Sequence, residues 1–151
     1  MTETAANRRA FNRAAIISLL AVAAPISRDE AASAQPRAAA GVSTRRDVIK
    51  QELPGEPPRD LLLVEVTYPP GAGSPPHLHA NGVTAFVVSG AVASKVGDSP
   101  EQTFRAGDAW WEPPGATHRI SRNASATEPA RLLAIYVAPK GATPADLMKP
   151  F

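Results

Sequence analysis

From residue 45 onward the chain consists of short runs of β-branched and aromatic residues separated by turns rich in proline and glycine. The clearest runs are 60–68, 83–89 and 130–138, and turns recur at intervals of roughly 8 to 12 residues. Such close punctuation leaves no room for a long helix in this part of the chain. The pattern therefore predicts an all-β sandwich or barrel.

The individual elements can be placed by the same signals. Val48 and Ile49 are expected to open a first short strand, and Pro144 to Met148, after the N-cap residue Thr143, to form one helical turn. The remaining strands are predicted at 60–68, 83–89, 91–96, 101–105, 109–112, 117–121 and 130–138.

The first 34 residues have the pattern of an export signal. Arg8, Arg9 and Arg13 precede the uncharged run 14–27, and Ala32-Ser33-Ala34 is a small-x-small cleavage pattern before Gln35. The segment NRRAFNR resembles the twin-arginine signal of bacteria, which implies a periplasmic or otherwise exported protein. The alternative is an uncleaved membrane or amphipathic N-terminal helix. We expect a signal at 1–34, a linker at 35–44 and one domain at 45–151.

Composition excludes several classes of function. The chain has 16 Lys+Arg against 14 Asp+Glu, and its basic residues are scattered, so a nucleic-acid partner is not expected. It has no cysteine, which rules out disulfides, a thiolate nucleophile and a zinc site built on sulfur. No stable membrane span is expected after processing, because run 14–27 is short for a bilayer.

The three histidines point to a metal site. His77 and His79 are two residues apart beside a predicted strand, so their imidazoles should share one face. His118 follows the turn Pro113-Pro114-Gly115, where a short hairpin can bring it beside the first pair. The alternative is three histidines at the surface or in the core that bind no metal.

At these residues the sequence resembles the cupin family of small jelly-roll β-barrels. The positions that match the first cupin motif are Gly71, His77, His79 and Gly90. The positions that match the second are Gly107, Pro113, Gly115 and His118, whereas Asn123 comes one residue late. The resemblance implies a single cupin β-barrel, preceded by the cleavable signal segment.

The resemblance also implies a cofactor. It assigns His77, His79 and His118 as ligands of one divalent transition metal, and imidazole ligation is compatible with Fe, Zn, Cu, Ni or Mn. Because cupins often pair through their barrel edges, a homodimer is expected.

One ligand of the cupin motif is missing. The glutamate of the first motif falls on Val83 when counted from Gly90, or on Thr84 when counted from His79. Glu112 is the candidate replacement, since it precedes Pro113 on the strand that leads towards His118. It could ligate the metal as a fourth ligand, contact a ligand or substrate, or be a structural or exposed carboxylate.

The neighbouring tryptophans occupy opposite faces of their strand. One of Trp110 and Trp111 should line the barrel and the other cover its outside, with core packing or substrate stacking as roles.

Three hypotheses for function follow. The first is an exported metal-binding cupin acting on a small molecule as a dioxygenase or related metal-dependent oxidoreductase, with Glu112 or Thr84 handling a proton. The second is a non-catalytic periplasmic cupin that binds or senses a small ligand. The third is a structural barrel without metal.

Overall fold

The described part of the chain is an all-β domain. A computed structural model describes residues 41–151, so the export signal at 1–34 and most of the linker lie outside the described residues. The elements are β1 (Thr44–Leu53), β2 (Arg59–Tyr68), β3 (Gly73–Ser74), β4 (His77–Leu78), β5 (Val83–Ser89), β6 (Ala91–Val96), β7 (Gln102–Arg105), β8 (Ala109–Glu112), β9 (Thr117–Asn123), β10 (Ala130–Pro139), α1 (Pro144–Leu147) and β11 (Lys149–Pro150).

The strands form two antiparallel sheets. One has the order β1-β2-β10-β5-β8, and the other has the order β11-β4-β9-β6-β7, with β3 also paired to β9. Neighbours in these orders are often distant in sequence, as in a jelly roll rather than a meander. The predicted all-β barrel is confirmed.

The core lies between the inner faces of the two sheets. Along β2 and β10, buried and less buried residues alternate, because successive side chains of a strand point to opposite faces. The main cluster of buried apolar side chains comprises Leu62, Val64, Val66, Tyr68, Val83, Ala85, Val87, Val92, Ala130, Leu132, Ala134, Tyr136, Ala138 and Leu147.

Gly90 makes the sharp bend that the sequence predicts between β5 and β6. Its φ is +73°, which L side chains rarely adopt. A Cβ at this position would lie 2.6 Å from the carbonyl oxygen of Pro129. Both constraints require glycine, and they fix the path of the chain from one sheet to the other.

Some elements differ from those that the sequence predicts. β1 begins at Thr44 and has ten residues, although only Val48 and Ile49 mark it in the sequence. The cause is its place at a sheet edge, where nearly all of its residues are exposed and no apolar alternation is needed. The short strands β3, β4 and β11 have two residues each and leave no periodic signal.

The predicted helical turn is present as α1. The backbone N–H of Thr143 donates to the Asp146 carboxylate at 2.9 Å, as in a capping box, and the Thr143 hydroxyl donates to the same carboxylate at 2.7 Å. In the part of the chain that the structure describes, no helix is long and apolar enough to cross a membrane.

Candidate metal centre

The fold brings the three histidines of the chain together inside the barrel. β4 pairs with β9 so that His77 and His118 lie directly opposite each other, and His79 is the first residue after β4. All three side chains are buried, and each offers a ring nitrogen within 4.8 Å of the others. Three buried imidazoles in this arrangement could hold a metal ion.

Backbone carbonyls fix the orientation of two of these imidazoles. Nδ1 of His77 donates to the carbonyl of Pro75 at 2.7 Å, and Nδ1 of His79 donates to the carbonyl of Leu147 at 2.8 Å. A carbonyl oxygen can only accept, so in each neutral ring the proton is on Nδ1 and the Nε2 lone pair is free. Metal-ligating histidines are commonly held in this way.

The two free nitrogens face each other. Nε2 of His77 lies 3.1 Å from Nε2 of His79. Two unprotonated nitrogens cannot hydrogen-bond, and their lone pairs repel unless a cation is shared between them. Two imidazole nitrogens on one tetrahedral zinc ion would be about 3.3 Å apart, given Zn–N bonds of about 2.0–2.1 Å. The observed separation therefore fits a common metal ion.

Glu112 is the fourth polar group of the cluster. One carboxylate oxygen, Oε1, accepts from Nε1 of Trp110 at 3.0 Å and lies 3.1 Å from Nδ1 of His118. The other, Oε2, lies 3.7 Å from Nε2 of His79. Oε2 is the one buried side-chain nitrogen or oxygen of the described residues that has no hydrogen-bond partner. A buried carboxylate oxygen costs free energy unless a partner is supplied, and a cation beside the imidazoles would supply it.

The pKa shifts keep these groups in the state that binds a cation. Burial, reinforced by the neighbouring imidazoles, lowers the pKa of His77 to about 4, and burial also lowers the pKa of His79. Burial alone would raise the pKa of Glu112, but hydrogen bonds from His118 and Trp110 and the nearby imidazoles bring it below its ordinary value. At neutral pH His77 and His79 are therefore uncharged and Glu112 is ionised.

Ser94 on β6 contacts the far side of His118. Its Oγ lies 2.8 Å from Nε2 of His118, while Nδ1 of His118 faces Glu112. An ionised Glu112 accepts a hydrogen bond from Nδ1–H, and the Ser94 hydroxyl then donates one to Nε2. Because a hydroxyl can also accept, Ser94 equally permits the other tautomer, with the proton on Nε2 and the Nδ1 lone pair turned towards a metal ion.

The cavity at the centre of this cluster is small. Its volume is about 20 Å³, enough for an ion or one water molecule. Apart from the polar cluster, its walls are mostly apolar and include Val66, Val83, Ala85, Leu132 and Ala134. Such walls exclude water and strengthen electrostatic interactions with a bound ion.

The structure separates the other candidate residues. Trp110 points inward, where its ring stacks on Phe104 at a centroid distance of 4.5 Å, whereas Trp111 is 55% exposed. Thr84 does not line the cavity. Its cross-strand partner is the outward-facing Trp111, because alternation places it on the opposite face from Val83 and Ala85. Handling of a proton by Thr84 is therefore not compatible with its position.

Several contacts of the site were not foreseen from the sequence. The carbonyls of Pro75 and Leu147 carry no signal of their own, because any residue offers a carbonyl. Ser94 lies in the run AVASKV, where the sequence pattern indicates only that it belongs to a strand. Asn123 is displaced by one residue from the second motif. Its buried amide donates to the carbonyls of Tyr68, Pro69 and Glu128 and thus ties the end of β9 to two loops.

Comparison with known proteins bears on the fold. The family model described as "Cupin domain" matches residues 64–136. No curated protein matches this sequence significantly. The solved structure of an uncharacterized conserved protein with a double-stranded β-helix domain from Klebsiella pneumoniae subsp. pneumoniae MGH 78578 is 27% identical, with a TM-score of 0.54; the match covers 68% of this chain and 82% of that one.

Two kinds of enzyme are also among the similar structures. A DMSP lyase structure is 22% identical with a TM-score of 0.50, and the match covers 60% of this chain and 44% of the lyase. Oxalate decarboxylase from Bacillus subtilis is 27% identical with a TM-score of 0.46, and the match covers 50% of this chain and 21% of that enzyme. This chain thus spans less than half of either enzyme, and the likeness to the lyase shows the fold alone. The family match at residues 64–136 and the antiparallel barrel agree with a cupin fold for this part of the chain.

Proposed function

We propose that this cupin barrel holds one divalent transition metal through His77, His79, His118 and Glu112. The observation that carries the proposal is the pair of unprotonated nitrogens 3.1 Å apart, next to a buried carboxylate oxygen without a partner. Imidazole and carboxylate ligands suit Fe, Zn, Cu, Ni or Mn. Three neutral imidazoles and one carboxylate leave a divalent ion with a net charge of +1.

We further propose that the protein is a metal-dependent oxidoreductase, dioxygenase-like, that acts on a small organic molecule. A bound metal would supply Lewis acidity and, if redox-active, electrons for reaction with oxygen. The chain itself provides neutral imidazoles in a fixed tautomer, an ionised carboxylate and apolar walls that exclude water. Glu112 is the carboxylate in reach to hold a proton, because Oε1 already faces Nδ1 of His118.

The size of the central cavity favours a second candidate. About 20 Å³ admits an ion but no organic substrate, so the metal could anchor a non-catalytic barrel that binds or senses a small ligand. The two candidate functions differ in whether the metal-loaded protein turns over a substrate. Oxygen uptake should be measured with the protein loaded in turn with Fe(II), Mn(II), Cu(II) and Ni(II), on a panel of phenols and diketones. Turnover with any of these metals supports the enzyme, and its absence with all of them supports the binder.

The N-terminal sequence supports a proposal on location. Arg8-Arg9, run 14–27 and the small-x-small pattern before Gln35 are those of an export signal, so we propose a periplasmic protein carried by the twin-arginine route. Replacing Arg8-Arg9 by Lys-Lys should abolish export of the full chain in a bacterial host.

A homodimer, expected from the cupin resemblance, can be tested by sedimentation equilibrium of the domain.

Metal content tests the central proposal. Protein purified without chelators should contain close to one equivalent of a transition metal by mass spectrometry, and the double variant His77→Ala/His79→Ala should contain less than about a tenth. The matched control is Trp111→Ala, which removes an exposed side chain from the strand of Glu112 and should leave the metal content unchanged. A wild-type protein that stays below about a tenth of an equivalent after incubation with each metal rules the proposal out.

A further inference from the structure

A second, larger cleft lies beside the candidate metal centre. It has a volume of about 330 Å³ and is formed by the inner face of β1, parts of β2 and β10, and the segment from Gly141 to Leu147. Arg45 and Tyr136 line both this cleft and the central cavity. The volume falls in the range of pockets for small organic ligands, about 300–1,000 Å³, which the central cavity does not reach.

Arg45 carries a positive charge into this cleft. It pairs with Val66 across β1 and β2, and directly opposed residues project from the same face, so its side chain starts on the inner face of the barrel. In the part of the chain that the structure describes, no carboxylate lies within 4.0 Å of the Arg45 guanidinium. Its guanidinium donates to Sδ of Met148 at 2.7 Å, and a thioether does not neutralise charge.

Arg45 is also close to the groups that separate the two cavities. Arg45 and Tyr136 line both cavities, and His79 lines the central one. The Tyr136 ring contacts the His79 ring at a centroid distance of 5.4 Å. A ligand held by Arg45 would therefore sit near the metal-binding face of the barrel.

The other charged groups of the cleft do not cancel Arg45. Lys50 lies 3.4 Å from Asp60, whose carboxylate also accepts from the backbone N–H of Gly141, so the charge of Lys50 is already paired. Asp47 lies opposite Val64 on the same inner face and contributes one negative charge. No ion pair between Asp47 and Arg45 is formed within 4.0 Å among the described residues.

The floor of the cleft is apolar. Leu62, Val64 and Leu147 are buried side chains that line it, and Tyr136 adds an aromatic face. A cation at one end and an apolar floor beyond it match an amphipathic anion. We propose that this cleft binds an organic carboxylate, with the carboxylate on Arg45 and the apolar body on Leu62, Val64 and Leu147. This inference rests on the proposed function, because it names the class of molecule that would be presented to the metal.

The test compares each carboxylate with its neutral amide. Benzoate and hexanoate are titrated against benzamide and hexanamide by isothermal calorimetry, on both metal-free and zinc-loaded protein. Each acid should bind about 5- to 20-fold more tightly than its amide, because only the acid gains a charge-assisted bond. Arg45→Gln should remove this preference. Arg46→Gln, one residue along on the outer face and paired with Glu65 at 3.3 Å, should keep it.

Two further variants test the position of the ligand. Ala142→Phe fills the cleft and should abolish binding of acid and amide alike, whereas Ala145→Phe, on the exposed side of α1, should not. Asp47→Asn removes the nearby negative charge and should strengthen binding of the acids about 2- to 5-fold while leaving the amides unchanged.

The possible results separate this inference from the metal proposal. Equal affinity for acid and amide, or a preference that survives Arg45→Gln, overturns the inference, as does the absence of binding in both forms of the protein. If metal-free protein prefers the acids while no metal binds, the inference about the cleft stands and the proposed metal chemistry fails. If zinc binds and the acids do not, the metal site stands and the inference fails.

Discussion

Val83 and Glu112 lie directly opposite each other on the antiparallel strands β5 and β8. Opposed residues project from the same face with Cβ atoms about 4.5–5.5 Å apart, so the two side chains share one corner of the cavity. Both are almost fully buried, with 1% and 2% exposure. Counted from Gly90, Val83 is the position at which the first cupin motif has its glutamate. Glu112 thus places a carboxylate on the neighbouring strand, directly opposite that position.

This relationship predicts the result of exchanging the two residues. Val83→Glu alone should destabilise the protein by about 3–5 kcal/mol, because it buries a second carboxylate beside Glu112. Glu112→Val alone should lower metal affinity at least about 10-fold. The double variant Val83→Glu/Glu112→Val should recover most of the stability and bring metal affinity within about 10-fold of the wild type.

Urea denaturation and metal titration of the four proteins measure both quantities. A double variant no better than the worse single variant would show that the two positions are not equivalent. Val83→Leu, which adds volume without charge, serves as the control for overpacking.

Glu112→Gln should affect stability and metal affinity in opposite directions. The glutamine amide offers a donor beside the free Nε2 of His79, which a carboxylate cannot do. Without metal, the free energy of unfolding should therefore stay constant or rise, while metal affinity falls about 10- to 100-fold. Thermal melts with and without zinc check this. Loss of stability in the metal-free variant would indicate that Glu112 is instead a structural hydrogen-bond acceptor.

Metal-free protein should lose stability as the pH falls. The folded-state pKa of His77 is about 4, below its ordinary 6.5, so between these values the unfolded chain binds more protons than the folded one. His79 and Glu112, whose pKa values are also lowered, act in the same direction. The midpoint of thermal unfolding should drop by about 5 °C or more between pH 7 and pH 4.5. His77→Gln should show a weaker dependence, and an unchanged dependence would contradict this origin.

Leu147 links α1 to the candidate metal centre through its carbonyl. Leu147→Ala should cost about 2–4 kcal/mol by leaving a cavity, and should also lower metal affinity, since the acceptor for His79 is no longer held in place. Val92→Ala removes a fully buried side chain of β6 that does not line the central cavity. It should lower stability without a comparable effect on metal affinity, which a zinc titration of folded protein can establish.

The three histidines could be predicted as a group because their spacing and flanking turns are local features of the sequence. The role of Glu112 could only be narrowed to alternatives, because its position depends on the register between β5 and β8. Thr84 was a candidate by counting alone, and strand alternation places it on the other face. The carbonyl of Leu147 reaches His79 across 68 residues of sequence, and no side-chain pattern encodes that contact.

The bounds of several strands were more predictable than those of the edge strand β1. β5, β6 and β8 have the predicted bounds, since each is flanked by glycine or proline turns. The sequence marks β1 only at Val48 and Ile49, because an exposed edge strand needs no hydrophobic alternation. For the same reason no pattern in the sequence marks Arg45 and Asp47 as residues of the inner face, where they lie beside the larger cleft.

The position of Glu112 has a consequence for recognising such sites in other chains. A search pattern that demands an acid between the histidine pair and Gly90 discards this protein as incomplete. A pattern that accepts an acid at either of two positions, there or directly before the Pro-Pro-Gly turn of the second motif, would retain it. Chains with neither acid would then form a separate class, in which neither of these two positions supplies a carboxylate to a bound ion.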